Sequence, residues 1–383
     1  MGLRILHVTE DFSLDNTGIT SSLENLVGLL KPHVEWVGIY STGGSTYKTD
    51  LCDCFHCDRE YSFPNAWKYP AGFKEHLTKV ITKYNVNILH IHGVWLAAPY
   101  IATQCSKEMD IPSILSVHGQ MEPSAIKNQS KIKEYKKRLY WNFIGKRSIK
   151  NVTALHAITE LENKHMLEYL PGKPVEVIPN ALNIQDYSEH PDSNLKPVLF
   201  FLGRINPIKN LDSLIKAFSK AKISNDWSLV IAGPNEVSQY KNYLDSLIDR
   251  LMLKERVKII GPVYDDEKMN LLRSSWALVL PSSSEVIGMV NLEAGACFLP
   301  SITTKSTGLD DWENGGGILI ENSESELTSA IETVCSWSIP ERISKGEESY
   351  MLIKEKYSND AVGGKWLDYY NKVVDISSRS SSI

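Results

Sequence analysis

The feature that most constrains the fold of this 383-residue chain is an opening of strand, glycine-bearing loop and helix that occurs twice. Near the start, the apolar run Leu3–Thr9 predicts a strand, and a polar loop ending at Gly18 precedes helical spacing over Leu23–Leu30. In the second half, Val198–Leu202 predicts a strand that is followed by a glycine-led loop and a helix over Leu211–Phe218. Each half therefore begins like a parallel sheet with helices on both faces.

Further apolar runs predict more strands in both halves, separated by amphipathic stretches. They are Val34–Tyr40, Ile88–Ile91, Ser113–Val117, Ala154–Ile158, Val175–Ile178, Ser228–Ala232, Val257–Ile260, Ala277–Leu280 and Ser301–Thr303. The polar, proline-bearing stretch from Tyr187 to Pro197 is the best candidate for a linker. Because single cores stop growing near about 250–300 residues, we predict one α/β domain over 1–190, a second over 191–359 and a disordered tail over 377–383.

Composition excludes several classes of protein. The formal net charge is −5, so the chain as a whole is not a general binder of polyanions. No apolar run approaches the ~18 residues of a membrane-spanning helix, and the first residues have too short an apolar core for a signal peptide. Six cysteines in this length are not a disulfide framework. These features predict a soluble, cytoplasmic protein.

A pair of carboxylates beside a helix start is the sharpest chemical signal in the chain. Glu285 and Glu293 lie eight positions apart, with Gly288 between them, after a predicted strand. The free N–H groups of Gly288, Met289 and Val290 would open the helix, and such a start binds anions. Carboxylates beside it suit a ligand with a diphosphate and many hydroxyls. The alternative is a solvated Glu285 and an ordinary carboxylate on a helix face at Glu293.

The segment Glu285–Glu293 resembles the E-x7-E motif of the retaining glycosyltransferases of family 4. Five other stretches are similar to the family's motifs and follow in the family's order. Phe201–Lys209 resembles its G-R-x4-K element and Val177–Asn180 its V-I-P-N segment; the others are Ser116–Gly119, Ile231–Pro234 and Ile260–Val263. The resemblance covers nearly the whole chain, and the combination is more specific than any one motif. It implies an α/β fold of the GT-B class, with two facing Rossmann-like domains and a donor cleft between them.

The resemblance also implies roles for the residues around the carboxylates. Glu285 would bind the hydroxyls of the donor sugar, and Glu293 the hydroxyls of the ribose. The N–H groups of Met289 and Val290 would help to bind the diphosphate. Backbone near Val263 would meet the edge of the base.

Three positions depart from the family's usual residues. Val286 stands where a glycine usually follows the first glutamate, the stretch Asn180–Asn183 reads Asn-Ala-Leu-Asn in place of Asn-Gly-Val-Asp, and Asn210 replaces the glycine after the lysine. None of these removes a charged group implied in catalysis, whereas Val286 bears on the shape of the predicted sugar pocket.

Two cations follow the first predicted strand of the second half. Arg204 and Lys209 lie in the loop that begins at Gly203. A leaving nucleoside diphosphate develops negative charge, which a metal ion or fixed cations must stabilise. The chain has no D-x-D triplet, so we predict that these two side chains supply the charge without a metal or other cofactor. The alternative, a surface arginine and a lysine at a helix start, is unfavourable without an anion nearby.

Histidines and a glycine mark the corresponding edge of the first domain. His118 follows a predicted strand, and by resemblance it would contact the donor sugar beside the reacting carbon. His90 and His92 lie on one predicted strand; one of them could reach the cleft, but we predict that both are structural or support the site residues. Gly18 corresponds to the family's glycine-rich first loop, where a backbone without Cβ can approach a phosphate. An ordinary turn glycine is the alternative.

Residues 127–150 form a strongly basic segment with interleaved aromatic residues. Its nine cations and one acid are Lys127, Lys131, Lys133, Lys136, Lys137, Arg138, Lys146, Arg147, Lys150 and Glu134. A helix of this composition is typical of binding to an anionic membrane surface, and it could also bind nucleic acid. The alternative without a binding role is a solvated helix with its aromatic side chains packed inward. We predict peripheral contact with the inner membrane surface and no nucleic-acid partner.

A cluster of possible metal ligands lies near residue 55. Cys52, Cys54, His56 and Cys57 fall within six residues and are ligand types that suit zinc. Their spacing is tighter than that of usual zinc sites, and no second half of a site follows. We therefore predict a chance proximity on a mobile loop.

These observations predict a retaining, metal-independent glycosyltransferase that moves a hexose to a glycan or a lipid-linked saccharide. UDP-glucose is the first choice of donor from its frequency within the family. The resemblance suggests exopolysaccharide or envelope glycan synthesis, and it implies that a C-terminal helix over 360–376 packs on the first domain. Two alternatives are a GT-B isomerase of sugar nucleotides and a non-catalytic module that binds glycan or nucleic acid.

Overall fold

Apolar runs of three to six residues form the strands of two parallel sheets, one in each half of the chain. The computed structural model describes residues 2–12, 17–43, 49–58, 71–123, 125, 131–187 and 195–380. Contacts divide the chain into an N-terminal unit, Met1–Ala181 with Asn359–Ile383, and a C-terminal unit, Leu182–Ser358. The division falls after Ala181, whereas the sequence suggested 190, and residues 188–194 of the predicted linker lie outside the described residues.

The N-terminal unit is built on a seven-stranded parallel sheet of order β3-β2-β1-β4-β5-β6-β7. Its strands are β1 (Arg4–Thr9), β2 (Trp36–Ser41), β3 (Cys54–Cys57), β4 (Ile88–His92), β5 (Ser113–Ser116), β6 (Ala154–Ala157) and β7 (Val175–Val177). Helices before and between them are α1 (Thr17–Leu30), α2 (Phe73–Lys83), α3 (Ala97–Glu108), α4 (Lys131–Tyr140), α5 (Lys146–Ile149) and α6 (Glu160–Tyr169). Every residue of β2, β4, β5 and β6 is buried, as expected for a sheet covered on both faces.

The C-terminal unit repeats this design with six parallel strands in the order β10-β9-β8-β11-β12-β13. The strands are β8 (Val198–Leu202), β9 (Ser228–Ala232), β10 (Val257–Gly261), β11 (Ala277–Leu280), β12 (Ser301–Thr304) and β13 (Ile318–Ile320). The helices are α7 (Leu211–Lys220), α8 (Ser238–Arg250), α9 (Asp265–Ser274), α10 (Met289–Ala296), α11 (Glu324–Ser336) and α12 (Ile339–Lys356). The central strand β8 pairs with both β9 and β11, so the loops after these three strands meet at one edge.

A final helix, α13 (Asn359–Ser380), belongs to the N-terminal unit. Trp366 and Tyr370 are buried in the same apolar cluster as Ile5 and Leu23. The sequence suggested a disordered tail from 377, but the helix continues to Ser380. A helix already held by packing adds further hydrogen-bonded residues at low cost, even where the sequence is polar. Residues 381–383 lie outside the described residues.

The cysteine cluster lies on a strand and not on the predicted loop. Cys54, His56 and Cys57 belong to β3, which pairs with β2 at the edge of the N-terminal sheet. Side chains alternate faces along a strand, so Cys54 and Cys57 point to opposite sides. None of the six cysteines, all of which lie within the described residues, forms a disulfide bond. Within the part of the chain that the structure describes, no helix is long and apolar enough to cross a membrane.

Candidate functional site

The loops after β8 and β11 bring the predicted cation and the first predicted carboxylate together. The ammonium of Lys209 forms an ion pair with the carboxylate of Glu285, and their side chains are only 12% and 19% exposed. Ser282 donates a second hydrogen bond to the same carboxylate, at 2.8 Å. The pair forms because β8 and β11 are neighbours in a parallel sheet, which places their following loops side by side.

Local hydrogen bonds hold Lys209 in this position. Asn206 caps the short turn Pro207–Lys209 by accepting a hydrogen bond from the backbone N–H of Ile208, at 3.1 Å. The carbonyl of Ile208 in turn accepts hydrogen bonds from the backbone N–H and the hydroxyl of Ser283, at 2.8 and 3.0 Å. The loops that carry Lys209 and Glu285 are therefore joined directly.

The structure gives Arg204 a different partner. Its guanidinium lies 2.6 Å from the carboxylate of Glu236, which also accepts a hydrogen bond from Asn206 at 2.8 Å. The Arg204 side chain is 57% exposed. Sequence reasoning missed Glu236, which follows β9, although the strand neighbouring β8 was the place to look for it.

The second predicted carboxylate, Glu293, lies on the second turn of α10 and has two partners that sequence reasoning missed. Lys268 of α9 forms an ion pair with it at 2.9 Å, and the hydroxyl of Tyr187 donates a hydrogen bond to it at 3.4 Å. Burial and the nearby Glu293 carboxylate raise the pKa of Tyr187, so this phenol stays protonated. Both predicted carboxylates are thus paired with lysines.

The start of α10 differs from the prediction of free N–H groups. The N–H of Gly288 donates to the carbonyl of Thr307 at 3.1 Å, and the N–H of Met289 donates to the carbonyl of Ile287 at 2.9 Å. Neither donor is available without a local change, because the loop before the helix folds back on it. Val290, one residue further, lies in the first turn of α10 and is half-buried.

Two further predicted donor residues, Gly203 and Val263, lie at the same edge of the C-terminal sheet. Gly203 follows β8, and a Cβ added to its neighbour Gly233 would lie 1.8 Å from the carbonyl oxygen of Gly203. The loops after β8 and β9 therefore approach as closely as backbone allows, and Gly233 cannot carry a side chain there. Val263 follows β10, and its side chain is buried in the apolar core with Phe200 and Leu272, which leaves only its backbone for a ligand.

His118 lies at the carboxyl end of β5 in the N-terminal unit, in a left-handed backbone conformation with φ of 50°. The loop that it begins is fixed by the buried carboxylate of Glu162, which accepts hydrogen bonds from the N–H groups of Gly119 and Ile158 at 2.5 and 2.6 Å. Burial raises the pKa of Glu162 to about 7. No sequence motif pointed to Glu162, whose partner Gly119 is distant in the chain.

His118 is the end of a chain of three histidines. Its Nε2 lies 2.8 Å from Nδ1 of His92, and Nε2 of His92 lies 3.0 Å from Nδ1 of His7. Burial lowers the pKa of His118 to about 4 and that of His7 to about 3, and it lowers the pKa of His92 well below its usual value. All three imidazoles are therefore neutral at pH 7.

A second hydrogen-bonded chain runs beside the first. His90 contacts the hydroxyls of Tyr370 and Ser116, each at 2.7 Å, and Ser116 contacts His156 at 2.7 Å. His7, His90 and His92 lie close enough together to hold a metal ion. Both ring nitrogens of His90 and of His92 already have hydrogen-bond partners, so the arrangement favours a hydrogen-bonded cluster over metal ligation. The prediction that His90 and His92 are structural agrees with their complete burial.

Gly18 lies in the first turn of α1, and a Cβ added to it would meet nothing within 4 Å. The packing of the N-terminal unit therefore does not itself require glycine at this position. Residues 13–16, which precede it, lie outside the described residues.

Comparison with known proteins shows the family. A family model described as "Glycosyl transferases group 1" matches residues 183–343, and one described as "Glycosyltransferase Family 4" matches residues 41–186. An uncharacterized glycosyltransferase of Methanocaldococcus jannaschii is 27% identical over 186 residues, which are 48% of this chain and 46% of that protein. The D-inositol 3-phosphate glycosyltransferase of Kineococcus radiotolerans is 24% identical over 243 residues, which are 58% of this chain and 55% of that relative. The chain thus spans about half the length of these curated relatives.

A solved structure shows the same fold. HepE of Anabaena, in complex with UDP and glucose, superposes with a TM-score of 0.74 at 16% sequence identity, over 97% of this chain and 100% of that chain. The predicted family and fold class are therefore confirmed. The chain belongs to glycosyltransferase family 4 and has the GT-B fold of a glycosyltransferase.

Proposed function

We propose that this glycosyltransferase transfers a hexose from a UDP-hexose, with UDP-glucose as the first candidate, to a glycan or lipid-linked saccharide in polysaccharide synthesis. The transfer retains the anomeric configuration and uses no metal ion. The observation that carries the proposal is the pair of lysine–carboxylate contacts, Lys209–Glu285 and Lys268–Glu293, at the carboxyl edge of the C-terminal sheet. A nucleotide sugar brings the complementary groups, a diphosphate for the cations and hydroxyls for the carboxylates.

Lys209 and Arg204 are the residues that bind the diphosphate in this proposal. Arg204 exchanges its exposed partner Glu236 for a phosphate at little cost, because exposed ion pairs contribute little to stability. Lys209 lies in a more enclosed place, where a fixed charge stabilises a leaving phosphate more strongly than in water. Binding of the donor satisfies Lys209 and Glu285 at once, since a phosphate meets the ammonium while sugar hydroxyls donate to the carboxylate.

Glu293 binds the ribose hydroxyls in this proposal, and Lys268 and Tyr187 position it. The ion pair with Lys268 holds the carboxylate in place, and the Tyr187 hydroxyl occupies one of its acceptor sites. The oxygen lone pairs that remain can accept hydrogen bonds from the two hydroxyls of a ribose ring. His118 contacts the sugar, and as a neutral imidazole it does so as a hydrogen-bonding group.

In the reaction, one bond to the anomeric carbon breaks and one new bond to it forms. The bond between this carbon and the β-phosphate oxygen breaks, and the acceptor hydroxyl oxygen forms its bond on the same face. The acceptor proton passes to the departing phosphate oxygen, so that UDP leaves and configuration is retained. Fixed cations that stabilise the phosphate as its charge grows lower the barrier of this step.

Relatives support the choice of donor. HepE of Anabaena has been solved with UDP and with UDP-glucose. The Kineococcus radiotolerans relative is named as a glycosyltransferase that acts on D-inositol 3-phosphate, which is a polar, phosphorylated acceptor. A UDP-hexose donor and a hydroxyl-bearing acceptor agree with both.

The first test is the thermal shift of the protein with UDP, GDP, ADP and CMP, each with and without EDTA. We expect UDP to stabilise the protein and EDTA to leave the shift unchanged. Glu293→Gln should weaken UDP binding by about ten- to a hundredfold, because loss of a charged hydrogen-bond partner costs about 1.5–3 kcal/mol. Glu313→Gln, an exposed carboxylate in the same unit, is the matched control and should bind UDP like the native chain. If none of the four nucleotides shifts the melting temperature of the folded protein, the proposed donor site is contradicted.

The second test is the stereochemistry of donor hydrolysis, followed by proton NMR with UDP-glucose in the absence of acceptor. We expect α-glucose as the first product, because water then attacks from the face that the diphosphate leaves. Lys209→Ala should lower the rate by about 10²–10³, the usual loss when one stabilising group is removed from a developing anion. Lys220→Ala, an exposed lysine of α7, should leave it unchanged. First appearance of β-glucose would exclude retention, and accumulation of an epimer of UDP-glucose would indicate an isomerase.

The basic segment supports peripheral contact with an anionic membrane as part of this function. In the structure it forms α4, a π-helical turn over Trp141–Gly145, and α5, while residues 126–130 lie outside the described residues. Its aromatic side chains do not all pack inward. Trp141 is buried, but Ile132, Tyr135, Leu139 and Phe143 are exposed and recur at helical spacing. An exposed apolar stripe among lysines is typical of helices that lie in a membrane surface.

Co-sedimentation with vesicles tests this contact. We expect binding to vesicles that contain anionic phospholipid and little binding to neutral ones, because each basic residue near an anionic surface contributes about 1 kcal/mol. The double variant Ile132→Ser with Phe143→Ser should reduce the bound fraction. Met252→Ser with Ile339→Ser removes two exposed apolar side chains elsewhere and should not. Binding that is independent of anionic lipid would contradict the proposal.

A further inference from the structure

A cavity of about 570 Å³ in the N-terminal unit is not accounted for by the proposed glycosyl transfer. Pockets of this size accept small organic ligands. Its lining includes three aromatic side chains, Trp95, Trp141 and Tyr169, and a set of basic ones. None of the residues assigned to the donor lines it, and Lys150 and Lys173 on its wall precede β6 and β7, at the amino ends of the strands.

The aromatic side chains form one continuous wall. The ring centres of Trp95 and Trp141 are 6.0 Å apart, and those of Trp141 and Tyr169 are 5.9 Å apart with perpendicular planes. Trp141 and Gly145 begin and end the π-helical turn, and the indole packs against Gly145, where a Cβ would lie 2.6 Å from the ring. Trp141 is 6% exposed, and its Nε1 has no hydrogen-bond partner among the described residues.

Basic side chains line the cavity in excess. They are Lys137, Arg138, Lys146, Lys150 and Lys173, against the single carboxylate of Glu168. Among the described residues, Arg138, Lys146 and Lys150 make no ion pair with a carboxylate. Lys173 is more enclosed, and its ammonium donates to the carbonyls of Lys150 and Val152 at 3.0 and 2.6 Å. Such a concentration of like charge around a cavity favours an anionic occupant.

We propose that this cavity is a second ligand site, which binds a phosphate ester whose organic body has an apolar face. The phosphate lies among Arg138, Lys146 and Lys150, where charge-assisted hydrogen bonds are strongest. The organic body covers the wall of Trp95, Trp141 and Tyr169, which removes apolar surface from water. This chemistry is shared by the headgroup of a phospholipid and by a free sugar phosphate. The site does not depend on the proposed transfer reaction, since no donor residue lines it.

Binding of soluble probes by isothermal titration calorimetry tests the site on the full chain. The probes are inorganic phosphate, glucose 1-phosphate, and dihexanoyl phosphatidic acid below its micellar concentration. We expect at least one organic phosphate to bind more tightly than inorganic phosphate, and the same affinity in the presence of saturating UDP. Tighter binding of the lipid assigns the site to a headgroup, and tighter binding of the sugar phosphate assigns it to a soluble ester.

Variants separate this cavity from general surface charge. Lys146→Gln with Lys150→Gln should weaken binding of the organic phosphate tenfold or more, because each lost charge-assisted hydrogen bond costs about that factor. Lys136→Gln with Lys164→Gln removes the same charge from exposed positions that do not line the cavity and should leave the affinity unchanged. Equal weakening by both pairs, competition by UDP, or affinity no greater than that of inorganic phosphate would overturn the proposal.

The histidine chain supports a second, independent inference. Each of the three neutral imidazoles carries one N–H, so the two contacts between them can run in only two directions. If His118 donates to His92, and His92 to His7, the proton on Nε2 of His7 is buried without a partner, because this atom has none among the described residues. In the opposite direction, Nε2 of His7 carries no proton, and only its lone pair lacks a partner. Buried N–H groups without a partner are the rarer of the two.

We infer that His7 and His92 are positioning residues that fix the tautomer of His118. Hydrogen bonds run from Nδ1–H of His7 to His92 and from Nδ1–H of His92 to Nε2 of His118. His118 then carries its own proton on Nδ1, the nitrogen that is left for a ligand. It would meet a sugar oxygen as a hydrogen-bond donor, a role that rests on the proposed function, whereas the tautomer itself does not.

Long-range ¹H–¹⁵N NMR spectra of protein labelled in histidine read the tautomer directly. The His118 signals are assigned by their loss in His118→Gln. We expect the Nδ1–H tautomer in the native chain near pH 7, and a mixture of tautomers in His7→Phe, which removes the first donor. His33→Gln, at an exposed position, should change nothing. A proton on Nε2 of His118 in the native chain would overturn the inference, as would an unchanged tautomer in a folded His7→Phe.

Discussion

Parallel pairing at the centre of the C-terminal sheet is the constraint on which the candidate site depends. β8 pairs with both β9 and β11, so the loops after three strands meet at one edge. The loops approach so closely that Gly233 has room for no side chain beside the carbonyl of Gly203. For that reason this edge brings together residues that are far apart in the chain, namely Lys209, Glu236 and Glu285. Each of them contacts a partner on the loop after a neighbouring strand.

Charged side chains at the candidate site are paired with one another. Its two central carboxylates are paired with lysines, and Arg204 is paired with a third carboxylate. A partly buried charge without a partner is costly, whereas the net gain from pairing two such charges is small. The pairs therefore keep the residues ordered without storing much binding energy. A ligand that brings both phosphate and hydroxyl groups can exchange for them at low cost, which a simple anion cannot do.

Local patterns in the sequence predict local features well. Apolar runs correctly indicated most strands, and the spacing of Glu285 and Glu293 indicated the loop and helix that carry them. Contacts between distant segments could not be predicted in this way. Lys268, Tyr187 and Glu236 have ordinary sequence surroundings, and only the fold brings them to the site. Arg342 resembles a surface residue in sequence, yet it is fully buried and donates to three backbone carbonyls. The prediction of free N–H groups at Gly288 and Met289 is wrong, because the carbonyls of Thr307 and Ile287 accept from them and no local pattern reveals these contacts.

The carboxyl edges of the two sheets treat charge in opposite ways, and this difference agrees with the proposed nucleotide-sugar donor. The carboxyl edge of the C-terminal sheet holds permanent charges in pairs, which can meet a diphosphate. The carboxyl edge of the N-terminal sheet holds buried imidazoles with pKa values lowered to about 3 and about 4 at His7 and His118. Because these rings are neutral at pH 7, they offer directed hydrogen bonds without adding charge. A sugar has oriented hydroxyls and no charge, so a neutral, ordered set of donors suits it better than another lysine would.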